Sequence, residues 1–212
     1  MELNGVIGRL YNGMDWIAKL VYVQFLWLLG SVVGLVIGGV FPATMAMFAV
    51  LRKMIQRDEE FSFFKTFWTR FRREFWKANA LGGIITLLGF ILYFYLVFLK
   101  AHGGAVSLIL YILVLSITFV FLITNLFLGP VFAHYQLRFF QYLKMSLWFC
   151  LSCPFHGISM IGGLVAFYFF ITYIPGLLPF LSVSLLAWFL MFMANLAFEK
   201  TKQEEAEEKR SI

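Results

Sequence analysis

Charge is what this chain most conspicuously lacks. Asp, Glu, Lys and Arg supply 13% of its 212 residues, about half the share of roughly 25% usual in a soluble domain. Apolar residues supply 62%, arranged in long uncharged runs from end to end. A bilayer's hydrocarbon is about 30 Å thick, so about 20 apolar residues in helical conformation make one crossing. A soluble globular protein is excluded, and an all-α polytopic integral membrane protein is implied. Too little lies outside the runs for a folded soluble domain, so the expected organisation is one transmembrane domain over 1–198 and a charged tail over 199–212.

Other scarcities narrow the function. Acidic residues are missing from every expected crossing centre, where ion-coupled carriers commonly place a carboxylate. There are two cysteines, Cys150 and Cys153. No second pair completes a zinc site and no thioredoxin-like pattern surrounds them, which leaves them as small packing groups with no disulfide. No HExxH, nucleophile elbow or phosphate-binding loop occurs, and His102, His134 and His156 have no acidic or thiol partner at ligand spacing. The expectation is a non-enzyme without metal or cofactor. The start, with Glu2 and Asp15 and no basic n-region, does not read as a cleaved signal peptide.

What is present is led by Leu-rich runs and by Phe, the latter with 27 residues. The first apolar run, 16–37, carries Gly30, Gly34 and Gly38 at four-residue spacing, which lets a second helix backbone approach closely. Gly38-Gly39 followed by Pro42 predicts a break with a new helix opening near Pro42. That helix, over 42–56, holds few uninterrupted apolar residues before Arg52 and Lys53, so it is a re-entrant segment, a short crossing or an interfacial helix. Four further long crossings are expected at 78–99, 105–128, 147–173 and 177–198, making five long helices in all. With the short helix crossing there are six passes and the chain begins inside; without it there are five and it begins outside.

Between them lies EFSFFKTFWTRFRREFWK, residues 60–77. Phe64, Trp68, Phe71 and Phe75 recur at helical spacing, while Arg70, Arg73 and Lys77 occupy other sides, the pattern of an amphipathic helix on a membrane surface. Eight of the 17 Lys and Arg residues fall between Arg52 and Lys77. Basic residues mark the cytoplasmic side, which puts this segment, the 129–146 connection and the C-terminal tail on the cytoplasmic side of a plasma membrane. The same positive charge favours contact with membrane lipids over nucleic acid. In the 147–173 run, Ser152, His156, Ser159 and Gly163 follow one helical face, a packing seam in which His156 also stands as a functional candidate.

The junction Gly39-Val-Phe-Pro42-Ala43-Thr44, then Val50-Leu-Arg52-Lys53, the aromatic and basic segment 60–77, and Pro130-Val-Phe-Ala-His-Tyr135 leading into Phe140-Gln-Tyr-Leu-Lys144-Met-Ser146 and Pro154 together resemble the YesL family of small bacterial membrane proteins. That resemblance covers most of the chain and implies an association with carbohydrate uptake through importers of the ATP-binding-cassette class. The implied role is an accessory membrane subunit contacting the importer's permeases. Alternatives are a membrane regulator acting with a sugar-sensing kinase and an autonomous small-molecule transporter.

Overall fold

The computed structural model describes residues 6–56 and 61–211. Every regular element among them is helical: α1 (Val6–Val33), α2 (Ile37–Ile55), α3 (Phe63–Ala101), α4 (Ala105–His134), α5 (Phe139–Ser152), α6 (Pro154–Tyr173), a 3-10 turn at Pro175–Leu177, and α7 (Leu178–Ser211). All but α5 are long and apolar enough to cross a membrane, giving six candidate spans, with Gly38–Ile55 among them. This is a multi-pass membrane protein.

The axis of the bundle is α2. Pro42, Ala43 and every residue from Met45 to Leu51 are buried, so two consecutive turns present no face to lipid. A helix apolar all round belongs in an interior. α1, α3, α4 and α7 pack around it. Short polar links pin the arrangement: Trp27 Nε1 donates to Thr44 Oγ1 at 3.0 Å, and Thr44 in turn donates to Val40 O at 2.7 Å. Buried Gln24 accepts from the backbone N–H of Ser184 at 2.9 Å, joining α1 to α7.

The α1–α2 break falls earlier than expected. It is made at Gly34-Leu35-Val36, where Leu35 and Val36 take φ of 60° and 61°, and α2 is already formed when it reaches Pro42. The corner closes there because Gly34 and Gly39 touch backbone to backbone; a Cβ on Gly34 would sit 2.3 Å from Gly39 Cα. Pro42 therefore lies inside the helix, not at its start, and its missing N–H deprives Gly38 O of the usual partner. Asn79 of α3 takes over that role, donating from Nδ2 to Gly38 O at 2.9 Å and to Phe75 O at 3.1 Å.

Two more boundaries depart from expectation. The aromatic and basic segment forms the opening turns of α3, capped by Ser62, with nothing between Phe63 and Ala101 to stop the helix. At 39 residues and about 1.5 Å each, α3 is about 58 Å long, roughly twice the hydrocarbon thickness. Its charged first half accordingly lies outside the hydrocarbon as a continuation of the crossing. The expected 147–173 crossing is instead divided at Cys153. Pro154 cannot donate to a preceding turn and disfavours helical backbone in the residue before it, so α5 ends and α6 opens on Pro154.

Buried residues of α3 run from Phe67 to Gly82, and those of α4 from Ile123 to Ala133. The remaining halves, 83–101 and 105–122, are a hairpin arm of outward-facing residues such as Phe90, Tyr93, Val106 and Ile109, the surface that contacts lipid. Glycines in the interior seat aromatic rings. A Cβ on Gly82 would lie 2.3 Å from Phe41, one on Gly129 would lie 2.3 Å from Phe48, and Gly163 stands against Phe189.

Two outcomes follow. Asn79→Leu strands the Gly38 carbonyl and costs about 1–2 kcal/mol, whereas in a Pro42→Ala background the new amide satisfies that carbonyl and the loss shrinks. Melting temperatures of the four purified forms in detergent measure the coupling; equal losses in both backgrounds reject the assignment. Gly129→Ala, normally a helix-stabilising change, here destabilises by about 1–3 kcal/mol through overpacking. Phe48→Leu recovers part of it, while Gly162→Ala, with nothing within 4 Å, does not destabilise.

Candidate functional site

The densest polar chemistry gathers where the first half of α3 meets the ends of α2 and α4. Arg52 Nη1, at the C-terminal end of α2, donates to Ala133 O at 2.9 Å, which occupies one of the carbonyls left open by the end of α4. Beside it lies Glu74, a buried carboxylate surrounded by cations of its own helix. Arg73 Nε is 3.2 Å from Glu74 Oε1, Arg70 Nη1 is 3.9 Å from the same oxygen, and Lys77 Nζ is 3.8 Å from Oε2. Helical spacing explains the cluster: positions 70, 73 and 77 stand one turn either side of, or directly beside, position 74.

These cations form one wall of a cleft of about 610 Å³. The opposite wall is the α4–α5 connection and the first turn of α5, supplying Gln136, Arg138, Gln141 and Tyr142. Local bonds hold that wall in shape. Gln141 Oε1 accepts from Arg138 N at 2.9 Å, and Tyr142 Oη accepts from Leu137 N at 3.1 Å while donating to Tyr135 O at 3.4 Å. Four cationic side chains and one carboxylate line the space. α7 reaches the same region, with Phe198 against His134 and Tyr135 and Thr201 Oγ1 3.9 Å from Cys153 Sγ.

A family model described as "Protein of unknown function, DUF624" matches residues 20–96. Three uncharacterized proteins of Bacillus subtilis (strain 168) are similar over nearly the whole chain. The protein named YteU is 32% identical over 210 residues, covering 99% of this chain and 94% of that one. YesV is 31% identical over 200 residues, covering 94% and 96%, and YesL is 28% identical over 209 residues, covering 99% of each. The chain belongs to the YesL-like family. No solved structure matches it significantly. The segment matched by the family model runs from α1 through α2 into α3, and so contains Pro42, Gly38, Asn79 and Glu74 together.

The residues singled out from sequence are distributed as follows in this YesL-like fold. Gly30 seats Phe67 and Ala43, Gly34 closes the α1–α2 corner against Gly39, and Gly38 approaches Phe75. These glycines serve contacts within the chain at three different places, because α1 carries Gly30 and ends at Val33, Gly34 lies in the turn and Gly38 lies on α2. Pro42 is buried, and Thr44 receives Trp27. Ser152 closes α5 while His156, Ser159 and Gly163 stand on α6, so the Pro154 break removes the shared face. Ser159 bonds its own helix at Phe155 O, and the buried small residue of α6 is Gly157, against Ile123. Of the α3 stripe, Phe71 is buried, Trp68 and Phe75 are half-buried and Phe64 is exposed. The buried register is instead Phe67, Phe71, Glu74, Ala78 and Leu81. Glu74 escaped the sequence reading because an acid among basic residues looks like one more surface charge.

Glu74→Gln keeps the side chain's shape and leaves Arg70, Arg73 and Lys77 without their counter-charge. The variant melts lower than the parent at low ionic strength, and the gap narrows toward about 1 M salt, where the Debye length falls to about 3 Å. A gap independent of salt shows that the carboxylate acts by packing alone.

Proposed function

We propose that this chain is an accessory integral membrane subunit of a bacterial carbohydrate importer of the ATP-binding-cassette class, and that it moves no sugar by itself. The observation that carries the reading is the occupied axis. A carrier of polar solutes needs polar groups along a path through its middle, whereas here the middle is α2, with Ala43, Met45, Ala46, Met47, Phe48 and Leu51 buried around it. The polar chemistry opens sideways, in a cleft at one end. The YesL resemblance supplies the link to carbohydrate uptake, and the lateral apolar surface of the α3–α4 arm is suited to a neighbouring membrane subunit.

The orientation proposed with this role places the basic end in the cytoplasm, by the excess of Lys and Arg in 52–77. The α7 end contacts that same region through Phe198 and Thr201, so the C-terminal end goes with it. Reconstitution of the importer's chains with and without this one, and of this one alone, tests the role. Uptake of labelled oligosaccharide rises or is stabilised over time when the chain is added, and is absent with the chain alone. Uptake by the chain alone makes it a transporter. Unchanged uptake together with failure to co-purify in mild detergent transfers the weight to a regulator acting with a sensor kinase.

A further inference from the structure

We infer that the cleft between α3 and the α4–α5 connection is a binding site for a phosphate ester, supplied by the headgroup of an anionic phospholipid. This goes beyond the importer reading and does not depend on it.

The charge of the lining comes first. Arg70, Arg73, Lys77 and Arg138 are opposed by Glu74 alone, an excess of three positive charges in a concave space. Glu74 Oε1 engages Arg73 most closely, at 3.2 Å, with Arg70 and Lys77 standing off at 3.9 and 3.8 Å. Those two therefore keep donors for a further partner, and Arg138 makes no ion pair among the described residues. Arginine forks and a lysine ammonium are the side chains that match phosphate oxygens. Arg72 of the same helix has a separate role: it lies over the Trp68 ring at 5.2 Å, away from the lining.

Neutral donors and the backbone point the same way. Gln141 spends its Oε1 on Arg138 N, which leaves its amide N–H groups for an acceptor at the rim. The positive end of α5, opening at Phe139, forms part of the same wall and adds to the field.

Location decides between a soluble anion and a lipid. Lys77 is the last charged residue of α3 before the uncharged run 78–99, so the cleft stands where that helix passes from charged to apolar surroundings, the level of phospholipid headgroups. A lipid held there places its phosphate among the cations and its acyl chains along the exposed arm of α3 and α4, where Leu87, Phe90 and Phe94 face outward. Anionic lipid gains about 1 kcal/mol, or about fivefold in affinity, from each nearby Lys or Arg.

The full-length chain in nanodiscs of phosphatidylcholine, titrated with phosphatidylglycerol and followed by native mass spectrometry, tests this. One or two phosphatidylglycerol molecules are expected to remain bound, and Arg73→Gln with Arg138→Gln to weaken retention by about 25-fold. Arg72→Gln, a charge change outside the cleft, leaves it unchanged. Glu74→Gln strengthens retention even as it weakens the fold, a sign that a structural role alone does not produce. Melting temperature in pure phosphatidylcholine checks that each variant is folded. Competition by inorganic phosphate at millimolar levels supports the phosphate site and assigns it to a soluble ester, while no competition supports the lipid. Retention that is absent, or that falls equally with Arg72→Gln, overturns the proposal.

Discussion

A helix buried on every side has to be held by side chains of its neighbours, and in this protein that helix is α2. At 19 residues it spans only about 28 Å, with a proline in its second turn and every residue from Met45 to Leu51 buried. Each surrounding helix solves part of the problem. α1 gives Trp27 to Thr44, α3 gives Asn79 to the carbonyl that Pro42 leaves open, and α4 gives its terminal carbonyl at Ala133 to Arg52. The three contacts fall near the middle, at the beginning and near the end of α2. They fix its depth and rotation against a surface that is otherwise largely apolar.

Between those polar points the packing rule is a ring set on a glycine. In lipid there is no gain from removing apolar surface from water, so helices associate through close contact. Phe41 on Gly82, Phe48 on Gly129 and Phe189 on Gly163 achieve that contact without bringing the helix axes together, since the ring fills the distance. Two of the three rings come from α2. The abundance of phenylalanine thus serves the interior as well as the lipid-facing surface, and the same residue type plays two parts that composition alone does not separate.

Class and crossings were legible because hydrocarbon thickness sets the length of apolar runs, and that constraint is written in one dimension. The failures concern which residues meet. Gly38-Gly39 and Pro42 announced a break, but the turn closed one step earlier, where Gly34 and Gly39 could touch, and the proline was carried inside because Asn79 repaired its missing bond from a helix far along the chain. Pro154 carried a clear local signal to divide the 147–173 run, and uninterrupted hydrophobicity outweighed it. In the cleft, Arg70, Arg73 and Lys77 were readable as a basic surface. Arg138 and Gln141 were not, because their relation to α3 exists only after α4 has turned the chain back.

The length of α3 ties the fold to its surroundings. One continuous helix carries Glu74 and its cations in the first half and nothing charged from Ala78 to Leu99, so a single rod crosses from an aqueous medium into hydrocarbon. The buried parts of α3 and α4 lie in the halves nearest the basic cleft, and the exposed parts in the halves away from it. The molecule therefore combines a packed head, built on α2 with α5 beside it, and an arm that relies on lipid or a neighbouring subunit for its cover. A head at the membrane surface is where a basic cleft meets anionic groups, and an arm in the hydrocarbon keeps that cleft at constant depth.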